Sequence, residues 1–122
     1  MSAPGRISLS EKFGTFSEHW RPKIIGELNG QQVKLAKFTG AFVWHSHERE
    51  DELFFVIRGA FTMEFHDRVV ELREGDMIIV PRGVEHRPVA AEEVWVMLFE
   101  PAGTLNTGTA GGERTVAEPE RI

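Results

Sequence analysis

Between Lys23 and Phe99 the chain is cut into short runs in which apolar and polar residues alternate, each closed by Gly, Pro, Asn or Asp. Period-two alternation places one set of side chains on a core and the other in solvent, so these runs predict half-buried strands. Lys23–Leu28 leads into Asn29-Gly30, the dipeptide favoured in a two-residue hairpin turn, and Gln32–Phe38 returns with Val33 and Leu35 on one face and Lys34 on the other. Thr39-Gly40 breaks that run and Ala41–His47 is predicted as the next strand. Glu52–Arg58 is almost continuously apolar and reads as a buried strand. Phe61–Phe65 alternates strictly, and Val69–Leu72, Met77–Val80, Val84–Ala91 and Glu93–Phe99 follow at turn-punctuated spacing. Roughly seven to nine short strands without a sustained helical period predict an all-β barrel or sandwich.

The flanks differ. Residues 1–22 mix Ser, Gly and charge with Phe13, Phe16 and Trp20, which suits an N-terminal arm packed on the barrel or on a neighbouring subunit, with at most a short helix near Ser10–Phe13. Residues 101–122 are rich in Gly, Thr, Ala and Glu. Their small apolar surface is expected to leave a flexible C-terminal tail. The barrel domain proper is placed at residues 23–100, one domain within 122 residues.

Composition narrows the chemistry. There is no cysteine, so thiolate metal sites, iron–sulfur clusters and disulfides are excluded and only nitrogen and oxygen ligands remain. A net charge of −5 opposes nucleic acid or an anionic membrane as partner. No apolar run approaches the roughly 20 residues of a membrane span, and the N-terminus lacks a signal-like apolar stretch, so cytoplasmic residence is expected.

The chemistry that remains gathers at His45, His47, Glu52 and His86. Two histidines two apart on a strand present imidazoles to one side, Glu52 opens the neighbouring strand, and His86 supplies a fourth group from elsewhere. Three imidazoles and a carboxylate suit a divalent transition metal (Zn, Ni, Fe, Mn or Cu) rather than Mg or Ca, which prefer oxygen shells. By parity with Glu52, Phe54 and Val56 are expected to line the cavity, while Phe42 and Trp44 face away from it. His66, the carboxylate of Glu64 and, less directly, His19 are the candidate proton carriers; Arg58, Arg82 and Arg87 flank the motifs as surface or anion-gripping groups. Tyrosine is absent.

These residues carry a resemblance to the small single-domain cupins. His45-any-His47, four residues, Glu52, six residues and Gly59 resemble the first motif of that family, and Gly75, Pro81, Gly83 and His86 resemble the second. Gly40 stands one residue closer to His45 than the pattern asks, and Ala90 occupies its asparagine position. The resemblance implies a jelly-roll double-stranded β-helix barrel, metal ligation by His45, His47, Glu52 and His86, and a homodimer. It also implies a metal-dependent enzyme of oxygenase, isomerase or lyase type acting on a small oxygenated or acidic metabolite, in the manner of mannose-6-phosphate isomerase-like cupins. A non-catalytic metal or small-ligand binding or sensor module is the alternative.

Overall fold

Asn29 and Gly30 adopt φ of 52° and 76°, the left-handed pair that a two-residue hairpin demands. They join β1 (Lys23–Leu28) to β2 (Gln31–Ala41) in an antiparallel register running from Leu28↔Gln31 to Lys23↔Leu35. This computed structural model of the protein describes residues 4–122, so the first three residues of the expected arm lie outside it. Five further strands follow, β3 (Glu52–Arg58), β4 (Ala60–Glu64), β5 (Val69–Arg73), β6 (Met77–Val80) and β7 (Arg87–Pro101), then the two-residue β8 (Glu120–Arg121).

Strand β7 is the spine. Its start pairs with β4, its length pairs with β2, and Trp95–Phe99 pair on the opposite side with β3, which in turn pairs with β6. The architecture is all-β, as the alternation predicts, and its strand order is consistent with the jelly roll that the resemblance implies. Two predicted strands, Val84–Ala91 and Glu93–Phe99, are here one element. The exposed Ala91-Glu92-Glu93 between them, polar enough to resemble a turn, lies where β7 leaves its contact with β4 and takes up the one with β3. Ala41–His47, by contrast, is not a regular strand beyond Ala41. Phe42 donates its amide to the Pro88 carbonyl at 3.0 Å and His45 keeps an isolated bridge to His86, with no ladder between them.

The inward faces of β2, β3, β4 and β7 bring Ala36, Phe38, Phe54, Val56, Phe61, Met63, Val94, Val96 and Leu98 into one core. The opposite face of the same strands is apolar too. It is partly covered by the arm, whose short helix α1 (Leu9–Phe13) is capped by Ser8 Oγ accepting from the Glu11 amide at 3.3 Å. Phe13 and Phe16 from this arm pack on Leu35, Ile57, Trp95 and Met97, and Phe13 stacks on Trp95 at 4.7 Å. Burying a side chain such as Phe13 or Leu35 contributes about 2–3 kcal/mol, which fixes Leu35 outward beneath the arm. Lys34 is therefore turned into the barrel, 2% exposed, where its Nζ meets Glu100 Oε1 at 2.9 Å.

The segment after Pro101, expected to be a flexible tail, lies along the barrel. Thr104 and Thr107 are buried, Thr109 donates its amide to the Ser46 carbonyl at 2.9 Å, and β8 pairs in parallel with the start of β1. Hydrogen bonds hold it where apolar surface is scarce, a contribution that hydrophobicity along the sequence does not register. Among the described residues no helix is long and apolar enough to cross a membrane.

Candidate metal centre

His45 and His86 are locked together by the backbone. Each donates its amide to the other's carbonyl, at 3.1 and 2.9 Å, which sets their rings side by side with centroids 4.3 Å apart. His47 follows two residues on and its carbonyl accepts from the Gly83 amide at 2.7 Å, in the turn that the Pro81-Arg-Gly83 sequence makes. Glu52 enters from the first position of β3. One ligand atom from each of His45, His47, Glu52 and His86 lies within 4.8 Å of all the others, and all four residues are buried. The structure thus brings together the four candidate ligands of the two motifs.

Ring orientation is set from behind. His45 Nδ1 donates to the Val43 carbonyl and His86 Nδ1 to that of Val84, both at 2.9 Å, so each turns Nε2 toward the common point. Outer hydrogen bonds of this kind fix the tautomer and direction of a ligating imidazole. His47 Nε2 approaches Glu52 Oε1 at 3.2 Å and His86 Nε2 approaches it at 3.7 Å, but none of these atoms finds a hydrogen-bond partner among the described residues. Leaving one buried polar atom unpaired costs about 1–3 kcal/mol, and here three converge on one spot. A cation satisfies all of them at once, and a set of three imidazoles and one carboxylate matches a divalent transition metal. The residues present fit such an ion.

Electrostatics act on His45 and Glu52 in the same direction, toward the unprotonated form. Burial, followed by the neighbouring His86, pushes the His45 imidazole down to about 4. For Glu52 burial acts upward, yet the adjoining Glu100, His47 and His86 outweigh it and hold the carboxylate below its usual range. Glu100 moves the other way. Burial and the negative charge of Glu52 raise it well above an ordinary carboxyl, against the pull of Lys34. This Lys34–Glu100 pair behind the ligands was not foreseen, since a lysine alternating with valine and leucine reads as the solvent side of a strand. The only hint in the sequence is the charge of Glu100, set against the apolar run of β7.

In front of the ligands is a cavity of about 30 Å³ walled by Trp20, Phe38, Phe42, Phe54, Leu98 and Asn106, with His45 and Glu52 at its floor. Phe54 lines it as expected, whereas Val56 lies deeper in the core. Phe42 does not face away. It meets His45 edge-on at 5.4 Å, because the irregular backbone at 42–44 abandons strict alternation; Trp44 does turn outward and stacks on His66. The candidate proton carriers lie outside the cavity. His66 pairs with Glu85 and His19 with Glu93, each at 2.7 Å and exposed, while Glu64 is held by Arg87 at 2.6 Å. Arg82 pairs with Asp51 and Arg58 lies over Trp95, both on the outside.

Residues 31–100 match the family model described as a cupin domain. The chain belongs to the cupin family. It is 44% identical to a cupin-2 domain containing protein from Shewanella frigidimarina, with a TM-score of 0.77 over 78% of this chain and 93% of that one. Protein NMB1881 from Neisseria meningitidis is 32% identical, with a TM-score of 0.74 over 80% of this cupin and 100% of the other chain. Among sequences, the uncharacterized protein YdbB of Bacillus subtilis is 38% identical over 80 residues, 65% of this chain and 65% of its own length. The matched family region stops at residue 100, so Asn106 and the rest of the segment that reaches the cavity lie beyond it.

Proposed function

We propose that this cupin is a transition-metal-dependent enzyme acting on a small oxygenated or acidic metabolite. The observation that carries the reading is the set of unpaired, buried ligand atoms at the floor of an apolar-walled cavity. A bound divalent ion would polarise a substrate oxygen or activate water or dioxygen. His45, His47, Glu52 and His86 would hold it, with Val43 and Val84 carbonyls keeping two of the rings aligned. Trp20, Phe38 and Phe42, stacked at 4.4 and 4.6 Å about the indole, shield the ligand cluster from bulk water.

Within the reading, chemistry centred on the metal is favoured over sugar isomerisation of the mannose-6-phosphate isomerase kind. An isomerase needs a proton carrier beside the substrate, and His66 and Glu64 are held elsewhere. That same lack supports the second reading, a binding or sensor module without turnover. Protein purified without an affinity tag is expected to hold near one equivalent of a transition metal. His47→Ala is expected to lose the metal and any turnover while keeping its circular dichroism. Full metal content in that variant would remove the ligand assignment; a loaded protein inert in a metabolite screen with oxygen-uptake detection would favour the binding module.

We also infer that the partner at the outer sheet face is a second copy of the chain. Met77, Phe55 and Met97 form one cross-strand row there and Ile79, Leu53 and Phe99 the next, with Met77 and Ile79 more than half exposed. None of the six is charged, so two copies of a chain carrying −5 can meet on this face without like charges opposed. Light scattering at twice the monomer mass, reduced to the monomer mass by Ile79→Lys, is the expected result.

A further inference from the structure

The three imidazoles at the site are not held alike. His45 and His86 are each fixed by an Nδ1 hydrogen bond to a carbonyl two residues earlier. The His47 ring has Nε2 toward Glu52 and, among the described residues, no hydrogen-bond partner at Nδ1, yet it is buried as deeply as His45. What stands behind Nδ1 is the backbone of Gly108. A Cβ built on that residue would come within 3.1 Å of Nδ1 and 2.1 Å of the Ser46 carbonyl oxygen, so at this point the C-terminal segment touches the ring with bare main chain.

That contact is clamped on both sides. Gly108 has a φ of +50° and donates its amide to the Leu105 carbonyl at 3.0 Å, and Thr109 donates its own amide to Ser46 O at 2.9 Å while its Oγ1 accepts from the Ser46 amide at 3.3 Å. Ser46 is the residue between the two motif histidines. The segment therefore grips the backbone from which both His45 and His47 project.

We propose that Gly108 is a positioning residue for His47: its close approach, secured by the Thr109 clamp on Ser46, does by packing what a carbonyl acceptor does for the other two rings. The role belongs to the extension beyond the family region, and toward a metal it rests on the ligand reading given above. Only glycine permits it, since any side chain would push the segment off Ser46 and free the imidazole to rotate.

The test uses the full chain. In metal-free protein, ring nitrogen and carbon NMR signals of His47 are expected to shift or broaden in Gly108→Ala while those of His86 stay in place. Zn²⁺ affinity by chelator competition should fall by about tenfold or more, the scale on which loss of an outer partner is felt. Gly111→Ala is the control: its φ is +63° in the same segment but nothing lies within 4 Å of the added methyl, so backbone strain is matched and the approach to His47 is not. Thr109→Val, which loosens the clamp without a clash, should move the same signals less, and serves if Gly108→Ala does not fold. Unmoved His47 signals in both variants, or equal movement in Gly111→Ala, overturn the proposal. Failure of the wild type to bind Zn²⁺ would instead strike the metal reading, with the metal-free spectra still deciding the role of Gly108.

Discussion

The strands between Gln31 and Pro101 and the two segments that flank them meet at one cavity, yet they hold it by different forces. The strands supply Glu52 and a shared apolar core, an isolated bridge fixes His45 against His86, and behind these residues the strands bury the Lys34–Glu100 pair at 2.9 Å. The flanks complete the walls that Phe38, Phe54 and Leu98 begin. Trp20 from the arm is held by its indole donating to Thr39 O at 2.9 Å, and the extension leans on Ser46, Ala41 and the Trp20 face through scattered polar contacts. Such a division separates two tasks within the flanks: Trp20 and Asn106 wall the cavity, whereas Gly108 stands against the His47 ring.

The contrast is strongest at Lys34. Removing one partner of a buried pair so that a charge is stranded costs about 3–5 kcal/mol, so Glu100→Leu, which leaves the buried Lys34 ammonium without its carboxyl partner, is expected to lower the urea midpoint sharply. An unchanged midpoint would show that the strands do not carry stability at this point and would break the comparison. Next in size is the response to acid. His45 is held down to about 4 against 6.5 in a free imidazole, chiefly by burial. Between those values the unfolded chain binds the extra proton, so with chelator present stability is whole above pH 6.5 and declines toward pH 4, by roughly 3 kcal/mol in all. A flat stability profile over that window would mean that the ring is not sealed by the strands. The smallest effect belongs to the extension. Arg114 lies over Trp20 and Phe42 at 5.8 and 5.6 Å and donates Nη1 to Ala41 O, so Arg114→Ala should cost less than about 1 kcal/mol. In protein whose other tryptophans are replaced by Phe, the same change should speed acrylamide quenching of Trp20; unaltered quenching would deny that the extension guards the entrance.

What the sequence made legible follows the same line. The β1–β2 turn, the strand alternation and the four converging residues could be read because each depends on neighbours in sequence or on a fixed motif spacing. Phe42 was misplaced because alternation was carried through three consecutive apolar residues where the backbone in fact bends. Lys34 was placed outside because the arm that makes the outer face apolar lies some 20 residues away, and its docking reverses which side of β2 is wet. The extension was expected to be loose because Gly and Thr carry little apolar surface; its attachment through Ser46 and β1 joins residues 60 to 100 positions apart, beyond the reach of any local pattern. Glu100, fully buried beside Glu52, had no motif to announce it.

The two residues of β8 have a consequence out of proportion to their length. By lying parallel to Lys23 and Ile24, with Ile122 donating to the Ile24 carbonyl at 3.0 Å, they occupy hydrogen-bonding groups that would otherwise stand open at a sheet margin. An open margin is a template on which a stranger chain can add itself and begin a fibril. This short pair thus acts as a selvage over the start of β1, leaving a stranger chain less of that margin to extend.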